Sequence, residues 1–341
     1  MTVSADLADE LTALVGRPAV ETRPEVLHRL SRDFSWLSPI LSRDLRSVPA
    51  SVAVSPEHTD QVADVLGFAY RRRLAVTPRG AGTSNYGQSV PMAPGIVLDT
   101  TRLTGISDID ADSVVVEAGA TFASLEEKLA EHNREVAVMP STVTSTVAGF
   151  LSGGNQGIGS IEFGSIWDGW VRGLTVVGCV ENPEPVDING DSMNRHLHAY
   201  GTTGIITRAR LRTAPKRDRT VLFAAFDTLA AATRAGRELM DLPVPPRAIS
   251  VRCRSRSRSN STMSLPSTST ARPGTRSSRA VAAWPRCGAI WTAKPSQTRS
   301  MAMAVPSPPP MQMAATPRFS PRFSSALSSV TMIRAPEAPI G

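Results

Sequence analysis

The sequence changes character after Val251, and the change sets how much of the chain can build a core. From Arg252 the order runs Arg-Cys-Arg-Ser-Arg-Ser-Arg-Ser, and residues 251–341 hold 17 Ser, 12 Pro and 12 Arg with no lasting helical or strand period. Such a composition buries too little apolar surface to offset its chain entropy, which predicts disorder over 252–341. The stretch adds one Lys and a single acid, Glu337, so it carries +12; the whole chain is +7, which leaves −5 for residues 1–250. Its basic character gives no ground for a polyanionic partner of the body. Three readings fit this tail: an Arg/Ser segment that contacts RNA or acidic partners, a solvated linker, or the out-of-frame translation of GC-rich coding DNA. The abruptness of the break favours the third, and the tail lacks the interleaved aromatics that base stacking needs.

The 341 residues allow two domains and a large core. No apolar run is long enough to span a bilayer, and the first residues lack the basic-then-apolar order of a secretory signal, so a cytoplasmic chain without a transmembrane segment is expected. Cys179, Cys253 and Cys287 form neither a disulfide framework nor a metal-binding pair.

Residues 1–46 read as a helical lead-in, with helices at 6–15 and 24–30 and an extended run 32–39 in which Trp36 is expected to pack. A strand at 52–54 precedes a helix that Ser55-Pro56 is expected to start, with Val62, Val65, Leu66 and Ala69 as its apolar stripe. Strands are predicted at 74–77, 96–99, 114–117, 135–138, 171–179, 185–188 and 205–213, and a helix at 124–132 with Leu125 and Leu129 inward. Cys179 falls inside the strand predicted at 171–179 and is expected in the core. The mixture predicts an α+β protein of two α/β lobes, not an alternating parallel sheet.

Binding a diphosphate takes main-chain N–H groups aimed at it, a close approach that glycine permits, and a nearby cation. The loop Arg79-Gly80-Ala81-Gly82-Thr83-Ser84-Asn85-Tyr86-Gly87 offers all three. It is neither the dinucleotide fingerprint, since a strand and not a helix follows, nor a Walker loop, which needs Gly-Lys-Ser/Thr. On its own it also reads as a glycine turn between strands. A second small-residue stretch runs from Pro140-Ser141-Thr142 through Thr146-Val147-Ala148-Gly149 to Gly153-Gly154-Asn155-Gln156-Gly157-Ile158-Gly159-Ser160, and a third is Gly201-Thr202-Thr203-Gly204-Ile205-Ile206-Thr207.

In this order, and with Phe163-Gly164 and Asp168 leading into Val171-Arg172-Gly173-Leu174, these motifs resemble the FAD-binding domain of the FAD-linked oxidases, the PCMH-type or vanillyl-alcohol-oxidase group. Within it the D-lactate dehydrogenase and glycolate oxidase branch is most similar. The resemblance covers about residues 47–215 and implies a PCMH-type FAD-binding domain. Its cofactor contacts would be Arg79, Gly80, Ala81, Gly82, Thr83 and Ser84 on the diphosphate, Pro140, Ser141, Thr146, Gly149, Gly157 and Ser160 along the cofactor, and Gly204 and Ile206 through their main chain. It implies a flavoprotein oxidoreductase acting on a small hydroxy acid or alcohol, with an electron acceptor and no specific nucleic-acid partner.

Relatives with covalent flavin carry a histidine in the first loop. Here Ala81, Thr83, Ser84 and Asn85 occupy those positions, so the resemblance implies non-covalent FAD. Residues 216–251 look like the start of the cap domain that supplies most substrate contacts in the group. The alternative is a catalytically incomplete FAD-binding fragment. No catalytic residue emerges from spacing: the five histidines lack metal spacing, His196 and His198 stand just before the third cluster, where they could approach the flavin but read rather as packed or solvent-facing, and Asp108, Asp110 and Asp112 read as a solvated turn.

Overall fold

The computed structural model describes residues 5–46, 49–253 and 328–334 and divides into two units, 1–217 and 218–341. In the first, α1 (Ala5–Val15), β1 (Val20–Glu21), α2 (Pro24–Leu30) and α3 (Pro39–Arg46) lead into β2 (Val52–Val54), α4 (Thr59–Arg72), β3 (Ala75–Arg79) and β4 (Gly95–Asp99). Strands β5 (Ile106–Ser107) and β6 (Ser113–Glu117) precede α5 (Phe122–Ala130), β7 (Arg134–Val136), α6 (Val147–Gly153) and α7 (Ser160–Phe163). A short helical turn, Ile166–Trp170, then feeds β8 (Val171–Val177), followed by β9 (Pro185–Ile188) and β10 (Ile205–Pro215).

Two sheets result. The first has the order β1-β2-β4-β3, with β2 and β3 both parallel to the central β4. Every residue of β2 and β4 is buried, the continuous apolar run expected of parallel strands covered on both faces. Gly95 begins β4 because a side chain there would meet the Ala75 carbonyl at 2.2 Å. The second sheet is antiparallel, β5-β6-β10-β8-β9, with β7 pairing the far end of β10. Along β10 buried residues alternate with Arg208, Arg210 and Arg212, so its register holds one face inward.

One core joins the sheets and their helices. The stripe Val62, Val65, Leu66 and Ala69 of α4 is buried, as are Leu125 and Leu129 of α5. Phe122, Phe150 and Trp170 form its aromatic centre, with ring centroids 5.4 to 6.5 Å apart.

In the second unit β11 (Thr220–Phe226), α8 (Leu229–Met240) and β12 (Ala248–Cys253) form a β-α-β crossover that leaves space for one strand. Strand β13 (Ser328–Arg334) fills it, antiparallel to both neighbours. Thr228 caps α8 by accepting from the Ala231 N–H, and Ala232 and Gly236 let the helix lie close to Ile249 and Val251.

Four expectations change. Helix α4 starts at Thr59 and not at Ser55-Pro56, because Gln61 Oε1 takes the Glu57 N–H and holds residues 55–58 as a separate turn. Trp36 is fully exposed and packs on nothing. Strand β8 ends at Val177, so Cys179 lies beyond the sheet and is exposed. Within 252–341, Ser328–Arg334 is a strand, since its Val-Thr-Met-Ile run supplies the backbone pairing that β11 and β12 would otherwise lack. The remainder of the tail, at 254–327 and 335–341, lies outside the described residues.

Candidate functional site

Strand β3 delivers its last residue, Arg79, to the glycine loop. At Gly80 a side chain would reach within 2.1 Å of Thr146 Oγ1, so the loop lies against the start of α6. Thr83 Oγ1 and Ser145 Oγ, 2.7 Å apart, make a second tie between the first and second clusters. Gly82 is buried with φ +68°, and the Arg79 guanidinium crosses the space a Cβ would fill. Among the described residues, no protein acceptor takes the main-chain N–H groups of Ala81, Gly82, Thr83, Ser84 or Asn85. Five adjacent unpaired donors are a concentration that main chain rarely leaves unless solvent or a ligand satisfies it. Phosphate oxygens suit such a row, and the glycines at 80 and 82 let the loop lie close against Thr146 and the Arg79 guanidinium.

The start of α6 is different. Its first N–H groups are consumed inside the protein: Val147 donates to the Ala120 carbonyl at 2.8 Å, Ala148 to the Ala118 carbonyl at 3.2 Å and Gly149 to Thr146 Oγ1 at 3.3 Å. Anion binding therefore falls to the loop and not to the helix end. Thr146→Val removes this cap and is expected to cost about 1 kcal/mol of stability in urea denaturation. An unchanged midpoint would show that the cap is dispensable.

The rest of the second cluster is placed by the chain's own backbone. A side chain at Gly157 would lie 2.1 Å from the Met139 carbonyl, and one at Gly159, where φ is +100°, 1.9 Å from that of Ala137. Met139 and Ile158 exchange main-chain hydrogen bonds of 3.0 and 2.7 Å, and Ser160 Oγ accepts from the Gly157 N–H. Gly157 and Gly159 are thus explained by strand-like pairing with 137–139. Gly149 and Ser141 are exposed and Pro140 is half-buried.

The third cluster returns to the first. Gly201, φ +74°, seats its bare Cα on Pro78 of β3, one residue before Arg79. Gly204 packs against Val176, and Ile206 is buried in the ladder opposite the same residue. Only their main chain could face a ligand. The structure thereby gathers Arg79 to Ser84, Thr146 and Gly201 around the end of β3.

Sequence reasoning missed one constellation. His198 and Tyr200 both adopt left-handed backbone, φ 55°, and their N–H groups cap the end of α6 by donating to the Leu151 and Ser152 carbonyls. The Gly154 carbonyl, an acceptor only, lies 3.0 Å from His198 Nδ1, which fixes the proton there and leaves Nε2 to accept from the Tyr200 hydroxyl at 2.9 Å. The Trp167 ring stands 6.0 Å from that of His198. The pattern His-x-His-x-Tyr directly before the third cluster was the available signal. His196, half-buried and beside Arg195, is held below the ordinary imidazole pKa chiefly by burial. Asp168 accepts from the Ser165 N–H and Oγ–H, both at 2.7 Å, which lowers its pKa and makes it a turn cap. Asp110 and Asp112 pair with Arg210 and Arg172, and no metal-binding group of His, Cys, Asp or Glu occurs among the described residues.

Comparison with known proteins agrees with this geometry. The family model described as an FAD binding domain matches residues 50–179. The D-lactate dehydrogenase of Archaeoglobus fulgidus is 31% identical over 194 residues, covering 54% of this chain and 43% of that protein. Glycolate oxidase subunit GlcD of Bacillus subtilis is 24% identical over 217 residues, 60% of this chain and 45% of that one. The mitochondrial D-2-hydroxyglutarate dehydrogenase of Rattus norvegicus is 27% identical over 224 residues, 62% and 39%. The chain thus spans less than half the length of these relatives. Among solved structures, an alkyldihydroxyacetonephosphate synthase superposes with a TM-score of 0.64 at 20% identity, over 72% of this chain and 48% of that one, a likeness of fold. Residues 50–179, which hold the glycine loop and most of the second cluster, are thus similar to an FAD binding domain.

Proposed function

We propose that the chain is an FAD-dependent oxidoreductase that converts a small 2-hydroxy acid to the 2-oxo acid. The observation that carries this is the row of five unpaired N–H donors at Ala81 to Asn85. These donors would hold the diphosphate, with Thr83 and Ser84 adding hydroxyls. Thr146, Gly149, Pro140 and Ser141 would line the cofactor beyond it, with Gly157 and Ser160 shaping that wall, and the main chain of Gly204 and Ile206 would close the far side. The FAD is held non-covalently, because Ala81, Thr83, Ser84 and Asn85 offer no imidazole to bond it. FAD held there would supply a two-electron acceptor for hydride from the substrate carbon, with oxygen or another acceptor needed to reoxidise it. The hydroxyl proton of the substrate leaves to a base or to solvent. Support for the substrate class comes from relatives named for lactate, glycolate and 2-hydroxyglutarate. No described helix is long and apolar enough to cross a membrane, and we place the protein in the cytoplasm.

The test is turnover of D-lactate, glycolate and D-2-hydroxyglutarate by the FAD-loaded chain with an artificial electron acceptor. Reduction of the acceptor by at least one of them is expected. A flavin-loaded chain inert toward all three would overturn the proposed activity and favour a catalytically incomplete FAD-binding fragment.

A further inference from the structure

We propose that residues 32–37 form a strap across the FAD-binding loop and that Arg79 is its latch, a positioning residue that acts on the cofactor through the strap. The inference rests on the FAD reading of the loop. The Arg79 guanidinium lies over Gly82, within the row of free N–H groups, yet it is tied to another segment of the chain. Its Nη1 donates to the main-chain carbonyl of Arg32, the first residue of the strap. The guanidinium is largely buried, which depresses its pKa, while Asp99 and Asp33 stabilise its charge and Arg29 opposes it. Asp33 belongs to the strap. Its Oδ1 accepts from the Ser35 N–H at 2.9 Å, and its Oδ2 is buried with no hydrogen-bond partner among the described residues. A buried carboxylate oxygen without a donor is costly, and a fixed nearby cation is what offsets it.

The strap also touches the other end of the loop. Gly87, φ +81°, turns its bare Cα toward Leu37 Cδ2 and Ser35 Oγ, which a Cβ there would meet at 3.4 and 3.7 Å. The strap alternates: Ser35 and Leu37 face the loop, while Phe34 and Trp36 are exposed. The same six residues therefore meet both ends of 79–87, and the proposed role is to slow FAD release from the loop.

The experiment measures amide hydrogen exchange over 33–37 in the flavin-free full chain, and FAD dissociation by the return of flavin fluorescence in the loaded one. In Arg79→Gln, exchange at Ser35 and its neighbours and the FAD release rate are each expected to rise about tenfold, the scale of one charge-assisted hydrogen bond lost. Leu37→Ala leaves Arg79 intact and is expected to speed release similarly, and the double variant should be no worse than the worse single one, as for residues acting through one contact. Faster release from Arg79→Gln with unchanged exchange over 33–37 and a silent Leu37→Ala would overturn the latch and return Arg79 to the diphosphate. Unchanged release in both variants would overturn the strap. If the unaltered chain took up no FAD, the FAD reading would fail, while the exchange comparison would still decide whether Arg79 holds the segment.

Discussion

Gly82→Val is expected to give a folded chain that retains no FAD. The backbone at this position has φ +68°, a region that costs a β-branched residue about 1–2 kcal/mol even in open space. The space is not open, because the new Cβ would stand 2.0 Å from Arg79 Nη2 and 2.7 Å from Nη1, the nitrogen that donates to the Arg32 carbonyl. The loop must shift, and with it the N–H groups of Ala81 and Thr83 on either side. Fold stability should move little, since Gly82 lies in a loop outside the aromatic centre, and the flavin-to-protein ratio after gel filtration should fall close to zero. Gly82→Ala, with the same φ problem and a smaller group, should fall between. A normal ratio in the valine variant would remove the cofactor from this loop.

Trp170→Ala is expected to produce the largest loss of stability of any single change in the first unit, about 3–5 kcal/mol. The side chain is fully buried and its ring lies 5.9 Å from Phe150 and 6.5 Å from Phe122, so truncation leaves a cavity that three separate elements must collapse to fill. Its Nε1–H has no acceptor among the described residues, which means that the indole contributes through packing and not through a hydrogen bond. Trp170→Phe should therefore cost much less than the alanine variant. Urea unfolding followed by far-ultraviolet circular dichroism measures both, and equal losses would show that the aromatic packing does not carry the core.

The parts legible in the sequence were those with a local cause. Helix α2 and strand β9 fall where Pro24 and the short Pro185 to Ile188 run placed them. The candidate loop was readable because an arginine, two glycines and two hydroxyl residues occur together within residues 79–84. The misses have non-local causes. Trp36 looks like a core residue by chemistry, yet the strap it belongs to turns alternate side chains outward. Cys179 follows an apolar strand that stops two residues earlier. The role of Gly157 and Gly159 depends on the carbonyls of residues 137–139, whose approach no local pattern encodes. The Tyr200–His198 pair required two left-handed residues to wrap the end of a helix some 45 positions earlier, a placement set by tertiary capping.

We propose that the loop from Arg79 to Asn85 holds FAD without a covalent bond, which the visible absorption of the purified full chain, reconstituted with FAD and then precipitated with acid, would test. A yellow protein with about one flavin per chain that releases all of it into the supernatant is expected. A folded chain that stays colourless after reconstitution, or one whose flavin stays with the precipitate, would contradict it.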